Sequence, residues 1–258
     1  MILEKKMRYI INPDYLFVEN FVKNLPHVFD NEGVSIYKGR NEIKIFECEG
    51  LKLNVKSFKI PHLINKVAYA WLRGSKAKHS YEYAMKMISV GADTPEPVAC
   101  VETLKKGLFH RSYYVSIHHD YDFTIRDLIG FEFPDKNNIL RQFAEYTYYK
   151  LHKNSIHHLD YSRGNILIKK VEDNKYQFSV VDINRMRFEK MPYMKGLKNF
   201  AQIWASEEEL EVVAREYARL NNKNEEEAVK LLIEFDKVHK AKINRKLEWK
   251  AWMKGKKK

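Results

Sequence analysis

The chain has 258 residues, 45% of them apolar and 13% aromatic, with a net charge of +12. That composition excludes a disordered chain, and the length suffices for one or two domains with a sizeable core. The charge favours an anionic partner: a nucleotide, a nucleic acid, or a lipid or phosphate-bearing surface. Cys48 and Cys100 give neither a disulfide framework nor metal-ligand spacing, which fits a reducing cytoplasm. The opening Met1-Ile2-Leu3-Glu4-Lys5-Lys6 is charged before any apolar core, so no signal peptide is expected. No apolar run approaches the roughly 18 residues of a membrane span.

In chain order, Asn12-Pro13-Asp14 opens an apolar-periodic segment, Tyr15-Leu16-Phe17-Val18 through Phe21-Val22, that predicts a lid-like helix on the first sheet. Alternation over Val34–Tyr37, Glu42–Phe46 and Leu51–Phe58 predicts an antiparallel meander with turns at Gly39-Arg40-Asn41 and Glu49-Gly50. Leu51, Leu53 and Val55 share one face of the third strand, and Lys52, Asn54 and Lys56 share the other. A Lys at the end of such a strand can hold nucleotide phosphates. Lys56 is the choice, with Lys52 and Lys59 as rivals. Residues 62–90 predict two helices, Ala70-Trp71-Leu72 in the first and Tyr81, Ala84, Met85 and Ile88 in the second. Glu82 is the sole acid between Glu49 and Asp93, so it is the local candidate to orient such a Lys. The alternative is a surface Glu paired at helical spacing with Lys78 or Lys86.

Thr94-Pro95-Glu96-Pro97 ends the helix, Val98–Val101 and Tyr113–Ile117 make a strand pair, and His118-His119-Asp120 is a connector between lobes. A helix from Phe123 to Ile129 follows, then an amphipathic helix over 137–153. Next comes His158-Leu159-Asp160-Tyr161-Ser162-Arg163-Gly164-Asn165. Ile166-Leu167-Ile168 and Phe178-Ser179-Val180-Val181, around the turn signal Asp173-Asn174, read as a hairpin that leads from Asn165 to Asp182. Phosphoryl transfer from ATP uses such a set: one carboxylate to orient the attacking hydroxyl and accept its proton, and oxygens to hold Mg²⁺. Beyond Asp182 the pattern is almost wholly helical, with a capping box at Ser206-Glu207-Glu208-Glu209 and a similar opening at Asn224-Glu225-Glu226-Glu227.

The end of the chain changes character. Residues 237–258 hold ten Lys or Arg and one acid, Glu248, with Trp249 and Trp252 interleaved. Basic residues with Trp on a helix suit an anionic membrane surface. A nucleic-acid contact and a solvated basic tail are the rival readings.

Together these segments predict a two-lobed α+β fold, with an antiparallel N-lobe over 1–117 and a mainly helical C-lobe over 118–258. The order Lys56, Glu82, His158-x-Asp160…Asn165, Asp182 resembles the protein-kinase-like fold. The wording of Asn54-Val55-Lys56-Ser57-Phe58-Lys59, Ser75-Lys76-Ala77-Lys78-His79-Ser80-Tyr81-Glu82, Thr94-Pro95-Glu96-Pro97 and Asp182-Ile183-Asn184-Arg185 is similar to the bacterial lipopolysaccharide core kinases, the Kdo/heptose kinases, over residues 34–205. That resemblance implies ATP and Mg²⁺ as cofactors and a sugar hydroxyl of the lipopolysaccharide core as acceptor. It also implies a cytoplasmic protein peripheral on the inner membrane. By position it makes Asp160 the catalytic base, Asn165 and Asp182 the metal ligands, and Lys56 the phosphate contact oriented by Glu82.

The departures are specific. Gly39 is the lone glycine of the phosphate turn, with Arg40 beside it as a charge clamp. Ser162 stands where protein kinases place a Lys for the γ-phosphate, leaving Arg163 or Arg185 to supply that charge. No Ala-Pro-Glu segment follows Asp182, which argues against a protein substrate. The competing readings are a nucleotide-binding pseudokinase acting as a membrane scaffold, and a kinase for another small molecule. A nucleic-acid binder rests on charge alone and is disfavoured.

Overall fold

The computed structural model describes residues 7–58, 74–105 and 108–255. The chain divides into two units: one of Met1–Ser89, Thr94–Asp120 and Asp182–Asn184, the other of Val90–Asp93, Tyr121–Val181 and Arg185–Lys258. The expected first helix around Ala70-Trp71-Leu72, and the rival Lys59, lie outside the described residues.

The first unit is built on a six-stranded antiparallel sheet. Its strands are β1 (Met7–Ile11), β2 (Val34–Lys38), β3 (Glu42–Cys48), β4 (Leu51–Phe58), β5 (Pro97–Lys105) and β6 (Leu108–Ile117), in the order β1-β5-β6-β4-β3-β2. The meander β2–β4 falls where alternation placed it. Helix α1 (Glu19–Val28) lays Val22 and Leu25, with Val18 before it and Phe29 after it, on Phe46, Leu53, Val55 and Val98. All eight are at most 5% exposed. The segment expected to be a lid is therefore part of the core: a face this apolar is held down by burial, at about 25 cal/mol per Å². Lys44 is the buried cation of this core. Its ammonium donates to the carbonyls of Phe29 at 2.7 Å and Glu32 at 3.0 Å, closing the C-terminal end of α1. Helix α2 (Lys76–Ser89) buries Ala77, Tyr81, Ala84 and Met87 and packs on β5 and β6.

In the second unit, β7 (Phe123–Thr124) opens the short helix α3 (Ile125–Leu128), where one helix over 123–129 was expected. Phe123 pairs into the sheet opposite Ile168, and that pairing keeps it out of the helix. Helix α4 (Lys136–Tyr146) runs on into a π-helical turn, Thr147–His152. The strand β8 (Ile156–His158) leads to the hairpin of β9 (Ile166–Glu172) and β10 (Lys175–Val180), which turns at Asp173-Asn174 with Ile166 opposite Val180. β11 (Met186–Phe188) returns antiparallel to β8. That strand stands in a stretch expected to be almost wholly helical. Helices α5 (Tyr193–Asn199), α6 (Glu207–Leu220) and α7 (Glu225–Gly255) complete the unit. The Ser206 capping box forms reciprocally, and the Glu209 carboxylate also accepts from the Gly130 amide and the Lys136 ammonium, both at 2.9 Å. Burial of Glu209 is thereby compensated, and its carboxyl stays below the usual range.

Candidate active site

The loop from His158 to Asn165 in the second unit is organised by a histidine. His158 is fully buried. Its Nε2 lies 3.0 Å from the Val181 carbonyl, and its Nδ1 accepts from the Asp160 amide at 3.1 Å. This pattern fixes one tautomer, with the proton on Nε2. The ring thus ties the residue that carries the candidate base to the residue immediately before Asp182. Asn165 closes the loop from the other side: its Nδ2 donates to the Asp160 carbonyl at 2.9 Å, and its own carbonyl accepts from the Val181 amide at 2.9 Å. With the amide nitrogen committed, the side-chain oxygen of Asn165 is the atom left to act as a ligand.

Four residues that the sequence did not single out, Asn199, Gln202, His152 and Tyr217, support this loop. Asn199 donates through Nδ2 to the His158 carbonyl at 3.1 Å, and Gln202 accepts from the Tyr161 amide at 3.2 Å. The Oδ1 of Asn199 meets His152 Nε2 at 3.3 Å, and Tyr217 closes on His152 Nδ1 at 2.8 Å. Burial pushes the His152 imidazole down to a pKa of about 4, so it stays neutral. These partners are about forty or more residues away in sequence, so no local pattern announces them.

The carboxylate of Asp160 is 39% exposed and is approached at 3.4 Å by Arg185 Nη1. Of the two arginines left open by the missing Lys, Arg185 is the one in contact with the candidate base. A third guanidinium, Arg126 of α3, packs over the loop at Gly164, where a Cβ would run into it. Downstream, Glu189 binds Lys195 at 2.8 Å and His157 at 3.0 Å, and these two hold its carboxyl down to about 2.

In the first unit, Asp182 stands in the left-handed region at φ 57°. Its Oδ1 accepts from Lys56 Nζ at 2.6 Å and from the Asn184 amide. A non-glycine residue there costs energy unless its surroundings impose it, and these two side-chain contacts hold Asp182 in place. The Lys56 side chain is 15% exposed and reaches this site from β4, while Leu53 and Val55 face the core. Lys56 and Asp182 are thus brought together, 126 residues apart. Glu82 is not brought to Lys56. Its carboxylate pairs with Lys78 at 3.7 Å across one helical turn, and both side chains are nearly half exposed. Gly39 and Arg40 occupy the β2–β3 turn, where the Gly39 amide donates to the Asn41 carbonyl at 3.0 Å. Among the described residues no group of three or more His, Cys, Asp or Glu could hold a metal ion.

No protein-family model matches the chain, and no curated protein matches it. Many solved structures are similar, three of them as follows. The first, titled "WaaP in complex with acyl carrier protein", shares 16% identity over 91% of this chain and 98% of that one, with a TM-score of 0.59. The second is the Rio2 kinase-ADP/Mg²⁺-phosphoaspartate complex from Chaetomium thermophilum, at 16% identity over 81% and 64% of the two chains and a TM-score of 0.49. The third is a thermostable mutant of aminoglycoside phosphotransferase APH(4)-Ia, apo form, at 13% identity over 90% and 95%, with a TM-score of 0.44. The likeness to WaaP spans both chains nearly end to end and carries the fold. The architecture, a six-stranded antiparallel sheet in the N-terminal unit and a mainly helical C-terminal unit, is α+β of the protein-kinase-like kind.

Proposed function

We propose that the protein is an ATP-dependent phosphotransferase acting on a sugar hydroxyl of the lipopolysaccharide core. The observation that carries the reaction class is the bracket made by His158, which holds the Asp160 amide and the carbonyl just before Asp182 on one ring. The acceptor class rests on the motif wording set out above.

Asp160 orients the acceptor hydroxyl and accepts its proton. Lys56 contacts the α- and β-phosphates, with the Gly39-Arg40 turn over them. Glu82 takes up its orienting role only on exchanging Lys78 for Lys56. Arg185 supplies the cation for the transferred group. The donor set fits Mg²⁺: the Asp182 carboxylate and the Asn165 amide oxygen are hard ligands, and they leave positions for phosphate oxygens. When bound, the ion neutralises the phosphate charge that builds up during transfer. Glu189 is already occupied by Lys195 and His157, which disfavours a cationic acceptor. The test is transfer of labelled γ-phosphate to lipopolysaccharide-core acceptors that retain or lack each sugar hydroxyl. Transfer to a free hydroxyl of Kdo or heptose supports the reading, and failure with every core acceptor sinks it.

One observation favours a second reading, a nucleotide-binding pseudokinase acting as a scaffold: Lys56 is committed to Asp182 at 2.6 Å while Glu82 is turned to Lys78. On that reading nucleotide stabilises the protein and no phosphate is transferred.

A further inference from the structure

The two ends of α7 have different surroundings. In its first three turns Ala228 and Leu232 are fully buried and Asp236 is 4% exposed. Lys240 then fastens the helix, donating to the Ala205 carbonyl at 2.9 Å and pairing with Asp236 at 2.6 Å. From Asn244 to Met253 every residue is exposed. This ten-residue stretch is about 15 Å of helix.

Its side chains are sorted. Val238, Lys242, Arg245, Trp249 and Trp252 follow at intervals of four, three, four and three, and therefore line one stripe. Lys246 and Met253 flank it at the same spacing. Val238, Trp249 and Trp252 are 57%, 59% and 55% exposed. Two of the chain's four tryptophans lie on this one stripe. A basic helix that is merely solvated gains nothing from large apolar rings on its cationic face. An interfacial helix does: the indoles sit at the headgroup level and the cations meet anionic lipid. The lone acid of the stretch, Glu248, flanks the stripe on the side opposite Lys246.

We infer that residues 238–253 of α7 form a docking surface for an anionic lipid bilayer, lying in the headgroup plane with Trp249 and Trp252 inserted and Lys242, Arg245 and Lys246 on acidic headgroups. The inference is independent of the phosphotransferase reading, since none of these residues belongs to the candidate active site.

The test is flotation of the full chain with vesicles of phosphatidylcholine containing 30% phosphatidylglycerol, against phosphatidylcholine alone and against poly(U) RNA. Binding is expected to the anionic vesicles alone. Lys242→Gln/Arg245→Gln/Lys246→Gln should lower partitioning by about two decades, since each cation near the surface contributes about a factor of five. Trp249→Ala/Trp252→Ala should lower it about tenfold or more while leaving the charge intact. These are exposed positions, so far-ultraviolet circular dichroism and thermal stabilisation by ATP should stay as in the wild type. Four results would overturn the inference: no flotation with anionic vesicles, equal flotation with phosphatidylcholine, anionic binding indifferent to both variants, or RNA binding lost with the cations while vesicles are ignored.

Discussion

Two loops of this protein carry residues assigned to one reaction, and they are built in opposite ways. The loop from His158 to Asn165 is enclosed: His158 is fully buried, Asn165 donates to the Asp160 carbonyl, Asn199 donates to the His158 carbonyl, and Gln202 holds the Tyr161 amide. The Gly39-Arg40 turn is open: it joins β2, all of whose residues are exposed, to β3, and Val34, Ile36 and Tyr37 remain at least half exposed. On the proposed reading Asp160 is a proton acceptor, which must be placed to a fraction of an ångström, and an enclosed loop suits that role. A turn that contacts phosphates through backbone and a flexible guanidinium can be ordered by the ligand itself. Substitutions in the enclosed loop should therefore cost catalysis and stability together, and substitutions in the open turn should cost mainly nucleotide affinity.

The sharpest break of that comparison is Asp160→Ala. It should lower kcat by several decades in the labelled-phosphate assay while ATP still raises the melting temperature. His158→Ala comes next. It leaves the Val181 carbonyl and the Asp160 amide without their partner, so a loss of about 3 kcal/mol in denaturant unfolding and about 10²-fold in kcat is expected. His152 sharpens the comparison through pH. Its folded pKa of about 4 lies below the ordinary 6.5, so the unfolded chain takes up this proton first as pH falls. Stability is fully present above pH 6.5 and declines toward pH 4, by about 3 kcal/mol in total. A melting curve followed from pH 7 to pH 4 checks this, and His152→Gln should remove that share of the slope. In the open turn, Arg40→Ala should raise the KM for ATP several-fold without moving the melting temperature, and Glu82→Gln should change kcat less than twofold unless Glu82 exchanges Lys78 for Lys56 in the nucleotide complex. A loss of stability in Arg40→Ala would show that the turn is built like the loop.

Much of this arrangement is legible locally. The β2–β4 meander, the hairpin around Asp173-Asn174 and the Ser206 cap all follow from alternation or from residues within one turn of each other. What escapes such reading is long-range. β1 alternates poorly and exists because Met7–Ile11 pairs with Ala99–Thr103, about ninety residues on. β8 and β11 are three residues each and are strands through their mutual pairing. Among the candidate site residues, Lys56, Asp160, Asn165 and Asp182 stand out as residue types at telling spacings, whereas the pairing of Lys56 with Asp182 does not. Glu82 is the sole acid between Glu49 and Asp93, but Asp182 is the one the Lys56 ammonium reaches. The supports Asn199, Gln202 and His152 are polar residues in apolar surroundings, and that signal becomes visible only once burial is known.

The central claim is that Asp182 belongs to a magnesium-nucleotide site. The most direct measurement is the melting temperature with ATP and Mg²⁺, with ATP and chelator, and with neither, for wild type and Asp182→Asn. Ligand at about 100 times its Kd stabilises the folded state by about 2.7 kcal/mol, which is several degrees for a chain of this size. The account predicts a Mg²⁺-dependent rise in the wild type that Asp182→Asn abolishes. No rise at millimolar ATP, or an equal rise in the mutant, would contradict it.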